Sequence, residues 1–289
     1  MSPPKPLLAQ PLVLGSSGQL GTAFGFLVEG AIAADRTDLD LAQASIDSVR
    51  RLVASREPSA IINCAGYTAV DQAEEEEVPA TAINATAVGI LAEVAADAGI
   101  PFVTFSTDYV FDGEADRPYL ESDGPNPISA YGRSKLAGER LALDANLDAL
   151  VIRTSWLISG THPNFVATML RLAKEGRPAR VVNDQHGRPT VARDLARATL
   201  TAIEAEVSGV LHLTNQGPPT TWFELAQASI RSAGLDPDFV TACTTAEYPT
   251  PATRPAYSVL GSERASQLDL VLPDWRDSLP GVVEELMSR

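Results

Sequence analysis

Little in this sequence invites a metal. Its two cysteines, Cys64 and Cys243, lie far apart, and its three histidines, His162, His186 and His212, stand singly. Neither set has the close spacing of zinc ligands, and the cysteines read as reduced thiols rather than a disulfide framework. Cations are scarce as well: 22 Lys and Arg face 37 Asp and Glu, for a net charge of −15. A nucleic-acid partner needs clustered basic residues, so that class is excluded, and any anionic ligand has to be met by local cations. No apolar run approaches the roughly 20 residues of a membrane span. The opening "MSPPKPLLAQP" lacks the apolar stretch of a signal peptide and reads as a Pro-rich leader or a linker from an upstream domain. These absences describe a cytoplasmic chain.

What is present is a regular alternation. Short apolar runs, "LVLG" at 12–15, "AIAA" at 31–34, "AIINCAG" at 60–66, "PFVTFST" at 101–107 and "ALVIRTSW" at 149–156, are separated by helix-like stretches near 18–28, 43–55, 78–98 and 129–145. Strands that do not alternate polar with apolar residues are buried on both faces, as in a parallel sheet sandwiched by helices. The fold class expected is therefore α/β, a doubly wound parallel sheet of Rossmann type, with a smaller C-terminal substrate-binding lobe. The boundaries expected are 10–155 for the dinucleotide-binding domain and 156–289 for the lobe, where prolines accumulate; a unit near 191–213 is expected to return to the main sheet. The "EEEE" at 74–77 reads as a solvated helix face.

The first strand runs into "GSSGQLG", which spaces Gly15, Gly18 and Gly21 as G-x-x-G-x-x-G before a helix. Glycine permits the tight turn and the close approach of backbone N–H groups to a pyrophosphate, and the helix N-terminus adds partial positive charge. The next strand ends at Asp35, placed to bond an adenosine ribose, but Arg36 follows at once and would suit a 2′-phosphate. NADPH and NADH both stay open. Further on, "YGRSKLAGE" sets Tyr131 and Lys135 on one helical face. A carbonyl reductase needs an acid to protonate the nascent alkoxide. Free Tyr titrates near ~10, and a cation about 4 Å away is expected to lower it toward ~7. Thr107, at the carboxyl end of its strand, can bond the same substrate oxygen.

Taken together, "GSSGQLG", "INCAGYTAVDQAE", "FSTDYVFDG", "YGRSKLAGE", "RTSWLIS", "VVNDQHGRPT" and "PTPATRPAYSVL" resemble the extended short-chain dehydrogenase/reductases, and within them the dTDP-4-dehydrorhamnose reductases. The resemblance runs from about Leu12 almost to the C-terminus. It implies reduction of a 4-keto nucleotide sugar with NADPH or NADH, Tyr131 as proton donor, Lys135 as its partner, and Thr107 tuning the transfer. It also implies Asp108 and Trp156 at the sugar, Gly18, Gln19 and Leu20 at the pyrophosphate, and Asp40, Leu41, Ala65, Gly66, Tyr67 and Phe105 along the cofactor. Arg188 and Arg254 are candidates for the diphosphate or thymine end.

One departure bears on assembly. Some relatives dimerise around Mg²⁺ through a Glu just after the glycine motif, and this chain has Ala23 there, so a monomer or weak homodimer is expected, with a link to an epimerase domain left open. Rival functions on the same scaffold are an epimerase, a 4,6-dehydratase, or a non-catalytic regulatory subunit such as the beta subunit of methionine adenosyltransferase. A dehydratase would follow Asp108 with a second acid, and Tyr109 stands there. A regulatory subunit would tolerate loss of Tyr131, Lys135 or Thr107, and all three are intact.

Overall fold

A computed structural model describes residues 8–289; the leader or linker expected at the start falls mostly outside them. The first half alternates as β1 (Pro11–Leu14), α1 (Gln19–Leu27), β2 (Ile32–Ala34), α2 (Ile46–Arg56), β3 (Ala60–Asn63), α3 (Glu77–Thr81), α4 (Ala87–Ala98), β4 (Phe102–Thr107), α5 (Ala130–Ala145) and β5 (Leu150–Thr154). The second half contains β6 (Leu157–Ile158), α6 (Phe165–Lys174), β7 (Ala179–Val182), β8 (His186–Gly187), β9 (Thr190–Val191), α7 (Ala192–Glu204), β10 (Gly209–His212), β11 (Thr220–Thr221), α8 (Trp222–Ser232), β12 (Val240–Cys243), α9 (Glu263–Gln267) and α10 (Trp275–Met287).

Six strands form one parallel sheet in the order β10-β5-β4-β3-β1-β2. Successive residues of each central strand enter opposite cores. Val13, Ile62 and Ile152 pack with Phe24 of α1 and Leu195 of α7, whereas Leu12, Leu14, Ile61 and Val151 pack with Val49 of α2 and Leu91 of α4. That two-sided burial is what the non-alternating apolar runs encode. The doubly wound α/β architecture is thus the observed one. The chain winds outward from β1 to β2, then crosses back to β3, and this reversal opens a crevice at the carboxyl ends of β1 and β3.

Glu77–Ala98 is helical for 22 residues, long and apolar enough by length and composition to cross a bilayer. Here it packs against α2, α5, β3 and β4. A π-helical turn, Ala82–Thr86, interrupts it beside the crevice.

Past β5, α7 lies on α1 and β10 extends the main sheet beside β5. The remaining strands pair only in twos, β6 with β9, β8 with β11 and β7 with β12. Around them α6, α8 and α10 close a separate apolar core that contains Trp156, Trp222 and Trp275.

Candidate active site

The crevice encloses about 580 Å³, and every candidate residue named above lines it except Gly21, Tyr67, Arg188 and Arg254. Its floor is the glycine turn. Gly15 has φ +72°, and a Cβ there would press on the Ala65 backbone, so only glycine fits. A Cβ on Gly21 would overlap the Gly15 carbonyl, so Gly21 acts by letting the turn close on α1. Most long helices of this protein begin under a side-chain cap, for example Ser45 on α2, Ser129 on α5 and Asn164 on α6. Helix α1 begins at Gly18 with no side-chain cap and no acid in its first turn. Its first-turn N–H groups thus face the crevice without a protein anion, a fit for a pyrophosphate.

At the far end Asp35 and Arg36 are both exposed. Thr37 donates to the Asp35 carboxylate from its backbone N and its hydroxyl, at 2.7 and 2.6 Å, and holds its pKa below the usual range. Arg36 reaches Asp40 at 3.4 Å, and Asp40 also caps the turn at Leu41–Gln43 through Ala42 N–H. Asp40 is thus at once part of the crevice wall and the cap of that turn.

Helix α5 brings Tyr131 and Lys135 to the crevice, and its start is built by the acid run. Glu74 Oε1 accepts from the Ala130 N–H at 2.8 Å, Glu77 forks onto Arg133 at 2.8 and 3.1 Å, and Glu76 accepts from the Tyr67 hydroxyl at 2.7 Å. Glu74, Glu75 and Glu77 are exposed, as expected of a solvated face, and Glu74 in addition satisfies an N–H at the mouth of α5 that would otherwise lack a partner. Tyr67 thereby sits behind the wall, its N–H bonded to Asn84 Oδ1 at 2.8 Å and its phenol pushed up to about 12 by the Glu76 bond. Asn84, within the π-helical turn, donates onward to Ser134 Oγ and Tyr67 O. Gly132 and Gly138 let α5 approach the carbonyls of Tyr109 and Asn84, where a Cβ would overlap.

Burial governs the titrating groups. It pushes the Tyr131 phenol up to about 12; the adjacent Thr107 hydroxyl lowers it and Asp108 raises it. The expected depression toward 7 by Lys135 is not found. Lys135 is itself buried, which brings its ammonium down to about 8, with Glu139 opposing the fall. Burial likewise raises Asp108 to about 7, against hydrogen bonds from Ser258 Oγ at 2.5 Å and Thr107 Oγ1 at 3.0 Å. Below Lys135, Glu139 takes a bidentate bond from Arg153 at 2.9 and 2.7 Å, and both are 4% exposed. The sequence reading missed Asn84, Glu139, Arg153 and Ser258. Arg153 carried a signal, since a charge inside a buried strand demands a partner.

Arg254 is held by Asp71 at 2.5 and 2.8 Å and lies against Tyr109, behind Tyr131. Arg188 is buried, donates to Leu260 O at 3.2 Å and leaves its Nε without a partner. Neither reaches the crevice wall. Trp156 does, from an unusual backbone: its φ is +46°, a left-handed conformation that costs a bulky residue about 1–3 kcal/mol.

The chain matches known proteins along nearly its whole length. The "dTDP-4-dehydrorhamnose reductase" of Burkholderia thailandensis is 39% identical over 96% of this chain and 99% of its own. The "dTDP-4-keto-6-deoxy-D-glucose reductase" of Streptomyces niveus is 39% identical over 87% of this chain and 88% of its own. A crystal structure of dTDP-4-dehydrorhamnose reductase from Bacillus anthracis in complex with NADP superposes with a TM-score of 0.91 at 34% identity, covering 96% of this chain and 99% of that one. The profile of the RmlD substrate binding domain family matches residues 10–288. On that match, and on relatives alike from end to end, the chain belongs to the RmlD substrate binding domain family, among the dTDP-4-dehydrorhamnose reductases.

Proposed function

We propose that this chain is an NAD(P)H-dependent oxidoreductase that reduces the 4-keto group of dTDP-4-dehydro-L-rhamnose to give dTDP-L-rhamnose. The observation that carries this reading is the convergence of the uncapped α1 N-terminus, Thr107, Tyr131 and Lys135 on one crevice. When bound, the nicotinamide supplies the hydride.

The residues do the rest. In this reading Tyr131 gives its proton to the sugar oxygen as the carbon is reduced. A phenol held near 12 is fully protonated at any working pH, which is the state a donor needs. Thr107, against that phenol, orients the accepting oxygen. Lys135 is the cation beside the phenolate left behind, and the cofactor ribose is its second partner. Asp108 and Trp156 contact the sugar, and Gly15, Gly18, Gln19 and Leu20 hold the pyrophosphate. Asp35 and Arg36 sit at the adenosine end, where either NADPH or NADH finds a partner. Arg188 and Arg254 support the wall from behind and reach the nucleotide only if the crevice rearranges on binding.

In the same reading the protein is cytoplasmic, and it is monomeric, since Ala23 is a buried alanine on α1 where some relatives carry a metal-binding Glu. The alternative is a related dTDP sugar substrate, favoured by the Streptomyces niveus relative. The test is oxidation of NADPH, then NADH, with dTDP-4-dehydro-L-rhamnose, followed at the nicotinamide absorbance. No turnover with either cofactor, against turnover with a different 4-keto sugar, would overturn the substrate assignment.

A further inference from the structure

We propose that Trp222 is a positioning residue for the sugar-nucleotide site, acting through Trp156. The proposal rests on the reductase reading above. A bulky side chain at φ +46° persists only where its surroundings over-determine it, and such outliers gather at functional sites. Here three features determine it. The indole of Trp222 stacks on that of Trp156 with 3.7 Å between ring centroids and 11° between planes. Gly187 passes so close to the Trp156 ring that a Cβ at that position would overlap the indole. The Thr190 N–H donates to the Trp156 carbonyl at 3.2 Å.

The position of Trp222 is itself fixed by the chain around it. The register of β8 with β11 puts Thr220 opposite Gly187, so the strand paired with the one that flanks the Trp156 ring leads, two residues after Thr220, to Trp222. Trp222 then opens α8 under a capping box of Thr221 and Glu224, and the Phe165 ring meets it edge-on at 4.7 Å and 60°. Trp156 lines the crevice and Trp222 does not. Any effect of Trp222 on a ligand in the crevice therefore passes through Trp156, which in the reductase reading contacts the sugar.

The test compares Trp222→Phe, Trp222→Leu and Trp156→Ala, with the Trp156→Ala/Trp222→Leu double variant. Misplacing a contact surface by about 1 Å costs up to about 10²-fold, so Trp222→Leu should raise the KM for the sugar nucleotide by about 10- to 10²-fold. NADPH affinity should not move, and Trp222→Phe, which keeps a ring, should recover most of the loss. In the Trp156→Ala background Trp222→Leu should add less than about two-fold, because residues acting as a unit are not additive. Wild type should show a far-UV exciton couplet from the stacked indoles that changes with sugar nucleotide and is absent in Trp222→Phe.

Full additivity, an unchanged KM in folded Trp222→Leu, or no couplet in wild type would each overturn the proposal. Should Trp222→Leu not fold, the couplet and the Trp222→Phe kinetics decide. If wild type oxidises neither cofactor with the keto sugar, the reductase reading fails by itself. The affinity of the same variants for dTDP-L-rhamnose, by calorimetry, still tests the pair of tryptophans.

Discussion

The main sheet and the C-terminal lobe meet at Trp156, and they are held together by different means. In the sheet, β1, β3 and β5 are buried at every residue, and helices cover both faces. In the lobe, no strand exceeds four residues, and order comes from stacked indoles, capping boxes and side-chain ties such as Asp184 to Thr245. Backbone ends of a continuous parallel sheet are rigid and repeat along its edge, so the sheet suits a cofactor. The lobe places individual side chains, which suits the distinction of one sugar from another.

The largest expected effect lies on the sheet side. Tyr131→Phe removes only a hydroxyl, and turnover should fall by about 10²- to 10⁴-fold while NADPH affinity holds. Lys135→Met should lose both, since in the proposed mechanism one ammonium serves phenol and ribose. Measured kcat and cofactor Kd separate the two, and near-normal turnover in Tyr131→Phe would remove the chemistry from the sheet altogether.

Next comes the way each region carries charge. Arg153→Met strands Glu139, buried on α5 against the sheet, and denaturant unfolding should show a loss of about 3–5 kcal/mol. Arg180→Ala breaks a pair with Glu247 in the lobe that is more than half exposed on both sides, and should cost less than about 1 kcal/mol. Equal losses would erase the contrast.

Acid titration should separate two buried groups of opposite sign. Asp108 is raised from 3.8 to about 7, so the native state holds a proton that the unfolded chain releases, and stability falls as pH rises from about 4 to 7. His212 is lowered from 6.5 to about 3 by burial and the nearby Arg153, so stability rises with pH over about 3 to 6.5. The two trends oppose each other in wild type. Asp108→Asn should expose the His212 trend, its stability relative to wild type growing by up to about 4 kcal/mol between pH 4 and 7. Parallel stability curves for the two proteins would mean that Asp108 is ionised throughout.

The smallest effect belongs to the exposed rim. Arg36→Ala should raise the KM for NADPH a few-fold more than that for NADH; equal changes would make Arg36 a plain surface charge.

The sheet was legible because its signals are local: unbroken apolar runs, glycines at three-residue spacing, Tyr131 and Lys135 one turn apart. What escaped depends on partners distant in the chain. The "EEEE" run reads as a solvated face until Ala130 and Arg133, 56 residues on, arrive against it. Asn84 looks unremarked in an alanine-rich helix, and its side-chain bonds go to Tyr67 and Ser134, 17 and 50 residues away. Ser258 lies in a motif quoted for its likeness to relatives, yet its tie to Asp108 spans 150 residues. Arg188 and Arg254 carry the charge a diphosphate needs, and charge does not say which way a guanidinium points.

The bond from Ala130 to Glu74 also bears on how the protein comes to be active. The body of α5 can coil early on local contacts, but its first turn gains this partner only when the 72–77 segment docks. That is a loop closure across 56 residues, and such closures come after local helix formation. During refolding, helical content should therefore return before Tyr131 is seated, and the end of α5 that carries Tyr131 is among the last parts of the chain to mature.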